Sequence, residues 1–322
     1  MGTLSHTHGN AFIHVGTHKT GTTSIQAMLA MNDDLLRAAG VFVPKTGRIA
    51  HGLAGHHNIA WELAGDPQFD PACGTFEMLL REAAYANENI VCMSSEEFEF
   101  LHFDEAALRN LRDGLLAIGY QPKIVLYLRP QCDYLESLYA EIVRVWDIAF
   151  VDFLEKIIND GVYGRSRFDY LRVADAFADT FGAENTIIRS YDSAKLLNDF
   201  SNTLGKGRLD PSSLTFPDRL NPMPVFRDVI EARAYQLDSS VRHCISSEQR
   251  FDPLGLIDVL RLFVTFARSN DRLRQKYGAN VRSTSIALLA REILAAALND
   301  RESRYRKQLI RALVEQPMDV AA

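Results

Sequence analysis

An eight-residue segment near the N-terminus combines glycine, threonine and lysine in a spacing suited to binding phosphate: Gly16-Thr17-His18-Lys19-Thr20-Gly21-Thr22-Thr23. Its two glycines allow the backbone to curl so that amide N–H groups converge, and the helix expected after it adds a partial positive charge. The threonines can donate hydroxyl hydrogen bonds and cap that helix, while Lys19 supplies a full positive charge on a long side chain. The pattern predicts a phosphate-binding loop over residues 16–23, the alternative being an ordinary glycine- and threonine-rich turn.

The position of the lysine separates this loop from the triphosphate-binding loop of kinases. The kinase pattern is Gly-x-x-x-x-Gly-Lys-Ser/Thr, with the lysine directly after the second glycine. Here Thr22 follows Gly21, and Lys19 lies two residues before that glycine. A kinase would also need magnesium and an aspartate after a strand, whereas the clear strands are followed by Ser94-Ser95-Glu96 and by Arg129. A kinase-type phosphotransferase is therefore disfavoured, and a non-catalytic nucleotide-binding module is a second alternative.

Arg129 and Ser137 form a second candidate phosphate-binding pair. Arg129 follows an apolar strand pattern, and Ser137 comes eight positions later on a predicted helix. Arginine binds phosphate through two parallel hydrogen bonds and keeps its charge at every relevant pH. Taken alone, each residue has an ordinary alternative: a surface ion pair for Arg129, and a polar position off the apolar stripe of the helix for Ser137. Together with the loop, the pair predicts a second phosphate contact.

Both segments resemble nucleotide-binding motifs of the sulfotransferases. Residues 17–23 are similar to that family's 5′-phosphosulfate loop, Pro-Lys-Ser/Thr-Gly-Thr-Thr, with His18 in place of the proline. An arginine after a strand and a serine eight positions later resemble the family's 3′-phosphate motif. The resemblance implies that 3′-phosphoadenosine 5′-phosphosulfate is the co-substrate, that no metal is needed, and that the donor is bound by His18, Lys19, Thr20, Gly21, Thr22, Thr23, Arg129 and Ser137.

The resemblance also implies a reaction, the transfer of a sulfuryl group to an acceptor hydroxyl. Lys19 would stabilise the charge that develops on the bridging oxygen. The Gly-x-x-Gly-x-Trp-Lys segment of the cytosolic small-molecule sulfotransferases is absent from the sequence. The chain is more similar to a bacterial, carbohydrate-sulfotransferase-like branch, which favours a carbohydrate or another polar hydroxyl acceptor. Tyr191-Asp192 resembles the family's Tyr-Glu pair, for which we expect a structural role or one close to the nucleotide.

Glu96 is the predicted catalytic base. It follows an apolar strand, and ligands bind at the carboxyl edge of open parallel sheets; related sulfotransferases place a His or Glu base after the corresponding strand. The alternatives are that Glu96 caps the next helix or pairs with Lys19. Glu97 is expected to face solvent or to cap that helix. The reserve candidates for the base are three histidines of the loop before Trp61: His51, His56 and His57. Two other interpretations of these histidines are a metal site and a plain polar loop.

Short apolar segments alternate with helical patterns along the chain. Strands are predicted at residues 11–15, 41–43, 89–93, 123–128 and 185–189. Helices are predicted from Thr22 towards Gly40, near Trp61, over 135–146, and from Pro224 onwards with a break at 278–280. This order predicts an α/β fold, a P-loop-like parallel sheet flanked by helices with a mostly helical C-terminal part. The predicted domains are a disordered segment 1–10, an α/β domain 11–280 and a helical extension 281–322.

Composition limits the partners of the protein. The 322 residues are 47% hydrophobic, which is enough for a sizeable core, and the net charge of −6 disfavours nucleic acid as a partner. The four cysteines form no Cys-x-x-Cys pair, which favours reduced thiols. No apolar run reaches the roughly 18 residues of a spanning helix, and no signal peptide is recognisable. We therefore expect a cytoplasmic enzyme without membrane insertion.

Overall fold

Five parallel strands form one sheet in the computed structural model of the chain, which describes residues 9–49, 54–142, 148, 150–159, 167–205, 209–217, 256–279 and 281. The order across the sheet is β2-β3-β1-β4-β5, and every neighbouring pair is parallel. The strands are β1 (Gly9–Gly16), β2 (Val41–Phe42), β3 (Ile90–Ser95), β4 (Tyr120–Leu128) and β5 (Thr186–Ser190). Parallel neighbours need crossover connections, which are usually helices.

Helices accompany the sheet along the described part of the chain. A 3₁₀ helix, Glu96–Phe103, follows β3 directly. The predicted fold class, a parallel sheet flanked by helices, is confirmed. The α-helices are α1 (Thr22–Met31), α2 (Asp33–Ala38), α3 (His57–Ala64), α4 (Phe76–Ala86), α5 (Glu105–Ala117), α6 (Gln131–Ile142), α7 (Phe150–Asn159), α8 (Tyr170–Phe181), α9 (Leu196–Gly205) and α10 (Leu256–Tyr277).

The chain divides into two compact units. The first unit lies within Met1–Arg129, Leu171–Asn221 and Gln275–Ala279, and it contains the whole sheet. The second unit lies within Pro130–Tyr170, Pro222–Arg274 and Asn280–Ala322, and its described part is helical. The predicted domain boundaries follow a different division and remain predictions.

Alternate side chains of each strand point to opposite faces of the sheet. In the first unit, helices cover both faces. On one face, strand residues such as Phe12 and Val125 pack with side chains of α1, α2 and α9. On the other side of the strands, α5 contacts β4 and buries the apolar stripe formed by Leu108, Leu111 and Leu115. Two-sided burial explains why the strand sequences are almost continuously apolar.

The second unit is held together by aromatic side chains. Tyr134 of α6 stacks on Phe168 with ring centroids 4.6 Å apart. Tyr139, one turn further along α6, meets Phe150 of α7 edge to face at 5.1 Å. Aromatic pairs in such arrangements contribute about 0.5–1.5 kcal/mol beyond the area that they bury.

The five predicted strands are confirmed, but the prediction of one continuous helix from Thr22 towards Gly40 is wrong. The helix breaks at Asn32, whose φ of −118° and ψ of 26° lie outside the helical region. The side-chain amide of Asn32 donates to the carbonyls of Met28 and Thr215, and its oxygen accepts from the N–H of Thr215. Asparagine favours such local backbone contacts over a helix interior, so the chain restarts as α2.

Two other boundaries bear on the sequence predictions. Helix α3 begins at His57 rather than near Trp61, so only part of the expected histidine-rich loop is a loop. Helix α10 ends at Tyr277, and Gly278 after it has a φ of +66°, which agrees with the predicted break. The remainder of the predicted C-terminal helix, residues 1–8 of the predicted disordered segment and His51 lie outside the described residues. Gly9 and Asn10 of that segment already belong to β1.

Candidate active site

The strand order brings the segments that carry Lys19, Glu96 and Arg129 to one edge of the sheet. Strand β1 lies between β3 and β4, and its last residues pair with theirs, Val15 with Ser95 and Gly16 with Tyr127. The loop after β1, the segment after β3 and the end of β4 therefore leave the sheet side by side. This is the edge at which open parallel sheets bind ligands.

The loop after β1 has an unusual backbone. Lys19 has a φ of +65° and Gly21 a φ of +78°, both in the left-handed region. For a residue other than glycine this region costs roughly 1–2 kcal/mol, so the surrounding contacts must hold Lys19 there. A Cβ on Gly21 would come within 2.5 Å of Leu196, and a Cβ on Gly16 within 2.2 Å of the Thr22 hydroxyl. Glycine is therefore favoured at both positions, at Gly21 also by its left-handed backbone.

Helix α1 begins immediately after this loop. The N–H groups of Ser24 and Ile25 donate to the carbonyl of Gly21 at 3.0 and 3.2 Å, and no described side chain caps the helix. The hydroxyl of Thr22, the first helical residue, is buried and has no hydrogen-bond partner among the residues that the structure describes. Buried hydroxyls are normally satisfied. A helix N-terminus with an unsatisfied hydroxyl has the donor groups that an anion requires.

Two loop threonines use their hydroxyl groups within the protein. Thr17 donates to the carbonyl of Tyr127 on β4 at 3.1 Å, and Thr20 donates to the carbonyl of Thr17. Both side chains are fully buried. Their hydroxyls therefore fix the loop, and the backbone N–H of Thr20 is the group that we expect to contact a ligand.

His18 anchors the loop to the 3₁₀ helix after β3. Its backbone N–H and its Nδ1 both contact Oε2 of Glu99, at 3.2 and 2.9 Å, and its Nε2 lies 3.6 Å from Oε1 of Glu97. Glu99 is fully buried, and a buried carboxylate needs a charged partner. His18 therefore anchors the loop, and its direct contact with the donor stays a prediction. Glu97 was expected to face solvent or cap a helix; its carboxylate instead pairs with His18.

The pKa of Glu97 reflects this pairing. Burial raises the pKa of its carboxyl group, but the hydrogen bond and the charge of His18 lower it, and the net shift is below the usual value. Glu97 is thus held in its charged form beside the loop.

Glu96 and His57 face each other next to the loop. Oε2 of Glu96 accepts from the side-chain amide of Gln26 at 3.1 Å and lies 3.7 Å from Nδ1 of His57. That nitrogen also contacts the hydroxyl of Ser95 at 2.8 Å. The side chains of Glu96 and His57 are 23% and 19% exposed, so both are accessible to a ligand. The two groups are in a position to take up a proton at this edge.

His56, a reserve candidate for the base, is engaged elsewhere. Its side chain is fully buried, its Nδ1 accepts from the N–H of Ser94 at 3.2 Å, and its Nε2 donates to the carbonyl of Pro44 at 2.9 Å. Burial lowers its pKa to about 4. Both nitrogens are therefore satisfied by backbone, and the prediction of a catalytic role for His56 does not fit this geometry. Its role is to join the loop before α3 to β3.

A neutral buried histidine makes stability depend on pH. The unfolded chain binds a proton at His56 below about pH 6.5, whereas the folded state resists it down to about pH 4. The stabilising contribution of neutral His56 is fully present above about pH 6.5 and is lost as the pH falls from there towards pH 4. Between pH 7 and pH 5 we expect His56 to account for about 2 kcal/mol of the loss in unfolding free energy. In urea denaturation, His56→Gln should have a lower unfolding free energy than the wild type at pH 7, but it should lose about 2 kcal/mol less between pH 7 and pH 5. The same loss in the variant and the wild type would contradict this.

Arg129 and Ser137 occupy the positions expected from the sequence. Arg129 follows β4, is 7% exposed, and donates from Nη1 to the carbonyl of Lys19 at 2.9 Å. Ser137 lies on α6, in the second unit, and its side chain is buried. Helix α6 starts after Pro130, whose carbonyl accepts from the N–H of Tyr134. The assignment of Arg129 and Ser137 to one phosphate remains a prediction.

Sequence reasoning missed Glu99 and Gln26. Glu99 lies between two phenylalanines in the 3₁₀ segment and is fully buried, and Gln26 is 1% exposed on α1. A buried charge or amide needs a hydrogen-bonding partner. A polar residue between apolar neighbours was therefore the signal that could have identified both residues. The sequence does not identify those partners, because His18 is 81 positions from Glu99, and Gln26 is 70 positions from Glu96.

Two further properties concern the described residues only. No group of three or more His, Cys, Asp or Glu side chains in the described ranges is arranged to hold a metal ion. Within the same ranges, no helix combines the length and the apolar character required to cross a bilayer. The cytoplasmic location and the lack of a nucleic-acid partner stay predictions.

Comparisons with known proteins give one similar structure. The fold is similar to a crystal structure of a sulfotransferase from Alicyclobacillus acidocaldarius, with 17% sequence identity, a TM-score of 0.48, and coverage of 84% of this chain and 96% of that chain. No protein-family model matches the sequence, and no curated protein matches it either. The function proposed for this chain rests on its own contacts.

Proposed function

We propose that the chain is a sulfotransferase that moves a sulfuryl group from 3′-phosphoadenosine 5′-phosphosulfate to an acceptor hydroxyl. The observation that carries this proposal is the loop between β1 and α1. It combines a left-handed backbone at Lys19 with a helix N-terminus that lacks a side-chain cap and a buried Thr22 hydroxyl that lacks a hydrogen-bond partner, both among the residues that the structure describes. These groups suit a phosphate-type anion, and the order Lys-x-Gly-Thr-Thr resembles the sulfotransferase loop.

The donor's two ends are proposed to occupy two places at this edge. The N–H groups of residues 20–23, the hydroxyl of Thr22 and the ammonium of Lys19 would hold the 5′-phosphosulfate. Arg129 and Ser137 would bind the 3′-phosphate, which distinguishes this donor from ATP. Arginine is well suited to that task because its planar guanidinium pairs with two phosphate oxygens at once.

The reaction is a direct in-line transfer. The acceptor oxygen forms a bond to sulfur while the bond between sulfur and the bridging phosphate oxygen breaks, and the electron pair of that bond leaves with the 3′,5′-bisphosphate. Lys19 and the loop N–H groups stabilise the charge that develops on the bridging oxygen. The proton of the acceptor hydroxyl passes to a base.

Glu96 is the proposed base, with His57 as its neighbour. The amide of Gln26 holds one carboxylate oxygen of Glu96, and the 3.7 Å separation from His57 lets the imidazole stabilise the carboxylate or replace it as acceptor of the proton. Glu96 follows β3 directly and His57 contacts Ser95 at the end of that strand, so both groups lie at the edge where the acceptor must approach the sulfur.

The acceptor is proposed to be a carbohydrate or another polar hydroxyl compound. Glu96, Glu97 and His57 are partly exposed beside the loop and can exchange hydrogen bonds with several hydroxyl groups. Such an acceptor offers several hydroxyl groups that donate and accept hydrogen bonds, whereas a phenol or steroid offers few and exposes mostly apolar surface.

A thermal-shift comparison tests the proposed function. Adenosine 3′,5′-bisphosphate should stabilise the protein in buffer without divalent cations, by about 2.7 kcal/mol at a concentration 100 times its dissociation constant. ATP with magnesium should stabilise it much less. Stabilisation by ATP with magnesium but not by the bisphosphate would favour a kinase-type enzyme, and no shift with either would exclude both nucleotides.

Removing the charge of Glu99 should loosen the loop. Glu99→Gln keeps the size of the side chain but weakens its two contacts with His18, and a hydrogen bond between charged groups contributes about 1.5–3 kcal/mol. We expect affinity for the bisphosphate to fall about tenfold or more in calorimetric titrations. Glu97→Gln is the matched control, because its contact with His18 is longer, at 3.6 Å against 2.9 Å. Equal losses in the two variants would mean that Glu99 has no special role in anchoring the loop.

A further inference from the structure

Arg129 touches the loop itself. Its Nη1 donates to the backbone carbonyl of Lys19 at 2.9 Å, although the two residues are 110 positions apart in the chain. Lys19 is the loop residue with a φ of +65°, a backbone conformation that residues other than glycine rarely adopt. The hydrogen bond from Arg129 therefore acts on the peptide group where the loop is least favourable by itself.

Tyr191 adds a second connection between Arg129 and the loop. The guanidinium carbon of Arg129 lies 5.6 Å from the ring centroid of Tyr191, within cation–π range. The same ring lies against Gly21, since a Cβ on that glycine would be 3.4 Å from it. Tyr191 is itself held by a hydrogen bond of 2.7 Å from its N–H to the carbonyl of Leu128, the last residue of β4. Arg129 and Tyr191 thus contact the two left-handed residues of the loop.

We propose that Arg129 is a positioning residue for the 5′-phosphosulfate loop, in addition to its proposed contact with the 3′-phosphate. By holding the Lys19 carbonyl, it keeps Lys19 in the left-handed conformation from which the N–H groups of residues 20–23 are proposed to bind the phosphosulfate. The identity of the ligand in this inference rests on the proposed function; the hold on the loop does not.

A consequence is that the two ends of the donor are coupled. A group that binds the guanidinium of Arg129 also fixes the side chain that holds Lys19, so occupation of one end favours the loop conformation required at the other. Coupling of this kind is reciprocal for binding free energies. A residue that only bound the 3′-phosphate would leave the affinity for a nucleotide without that phosphate unchanged.

The first experiment measures the loop without any ligand. Amide hydrogen exchange of the peptide spanning residues 16–25 is compared in the wild type, Arg129→Ala, Arg129→Lys and Arg189→Ala. Arg189 is the matched control: it lies on β5, is 50% exposed, and pairs with Asp199 rather than with the loop. We expect exchange in this peptide to be about tenfold faster in Arg129→Ala, intermediate in Arg129→Lys and unchanged in Arg189→Ala. Arg129→Lys serves alone if the alanine variant does not fold.

The second experiment separates the two roles of Arg129. Calorimetric titrations compare adenosine 3′,5′-bisphosphate with adenosine 5′-monophosphate, which lacks the 3′-phosphate. We expect Arg129→Ala to lower the affinity for both ligands, and to lower the affinity for the bisphosphate more strongly. Unchanged loop exchange together with loss of the bisphosphate alone would overturn the positioning role and leave the proposed function intact. Faster loop exchange in a protein whose wild type binds neither nucleotide would support the positioning role and contradict the proposed function.

Discussion

Replacement of Lys19 by methionine should lower turnover by about 10²–10³ at saturating donor, because one contact that stabilises transition-state charge contributes that much. Methionine keeps the length of the side chain and, like lysine, is not a glycine, so the left-handed backbone at φ +65° is equally unfavourable in both proteins. The charge is needed most as the bridging bond breaks. Affinity for the bisphosphate should therefore fall much less than turnover.

The measurement is the rate at which the donor is converted to the bisphosphate, with whichever polyol or sugar supports the fastest turnover. Lys195→Met is the matched control, because Lys195 is 81% exposed and pairs with Asp192 before helix α9. It should keep wild-type turnover. Wild-type turnover in Lys19→Met would remove Lys19 from the catalytic residues.

Glu96→Gln should lower turnover by about 10² or more while leaving affinity for the bisphosphate unchanged. Glutamine keeps the size of the side chain and can still contact Gln26, but it does not accept a proton at neutral pH. Glu184→Gln is the control, because Glu184 lies before β5, at the amino end of the sheet rather than the carboxyl end.

His57 decides the outcome if Glu96→Gln stays active. Its Nδ1 lies 3.7 Å from Glu96 and 2.8 Å from the hydroxyl of Ser95. Turnover that survives in Glu96→Gln but collapses in His57→Ala would identify His57 as the base. Loss in both variants would mean that the pair acts together, and retention in both would place the base elsewhere.

The parts of the fold and site that depend on local pattern were predictable. Short, largely apolar runs of three to six residues identified the strands, and the glycine spacing identified the loop, because both properties are encoded by neighbouring residues. The alternation of strands and helices then predicted a parallel sheet. Since the carboxyl ends of parallel strands share one edge, Lys19, Glu96 and Arg129 were expected near one another.

The anchors of the site were not predictable, because they join residues far apart in the chain. The hydrogen bond from Arg129 goes to a backbone carbonyl, which every residue possesses, so side-chain chemistry does not select Lys19 as its acceptor. The partner of His18 is one of three glutamates in the 3₁₀ segment, and only the path of that segment determines which of them is buried.

The sequence also does not distinguish the roles of the adjacent residues His56 and His57. Neighbouring residues at the start of a helix point in directions about 100° apart. Once α3 begins at His57, one ring is buried against backbone and the other faces Glu96. The sequence placed both in a loop, where their directions are undefined, and so offered them as equal candidates.

Hydrogen exchange of the wild-type protein with and without adenosine 3′,5′-bisphosphate tests the proposed site most directly. In buffer containing a chelator, we expect saturable protection of residues 16–25 and 128–137, with the remaining peptides little changed. The 5′-monophosphate should protect residues 16–25 and leave residues 128–137 nearly as in the free protein. Absence of protection in residues 16–25 at saturating bisphosphate, or protection there only by ATP with magnesium, would contradict the assignment of this edge as a sulfuryl-donor site.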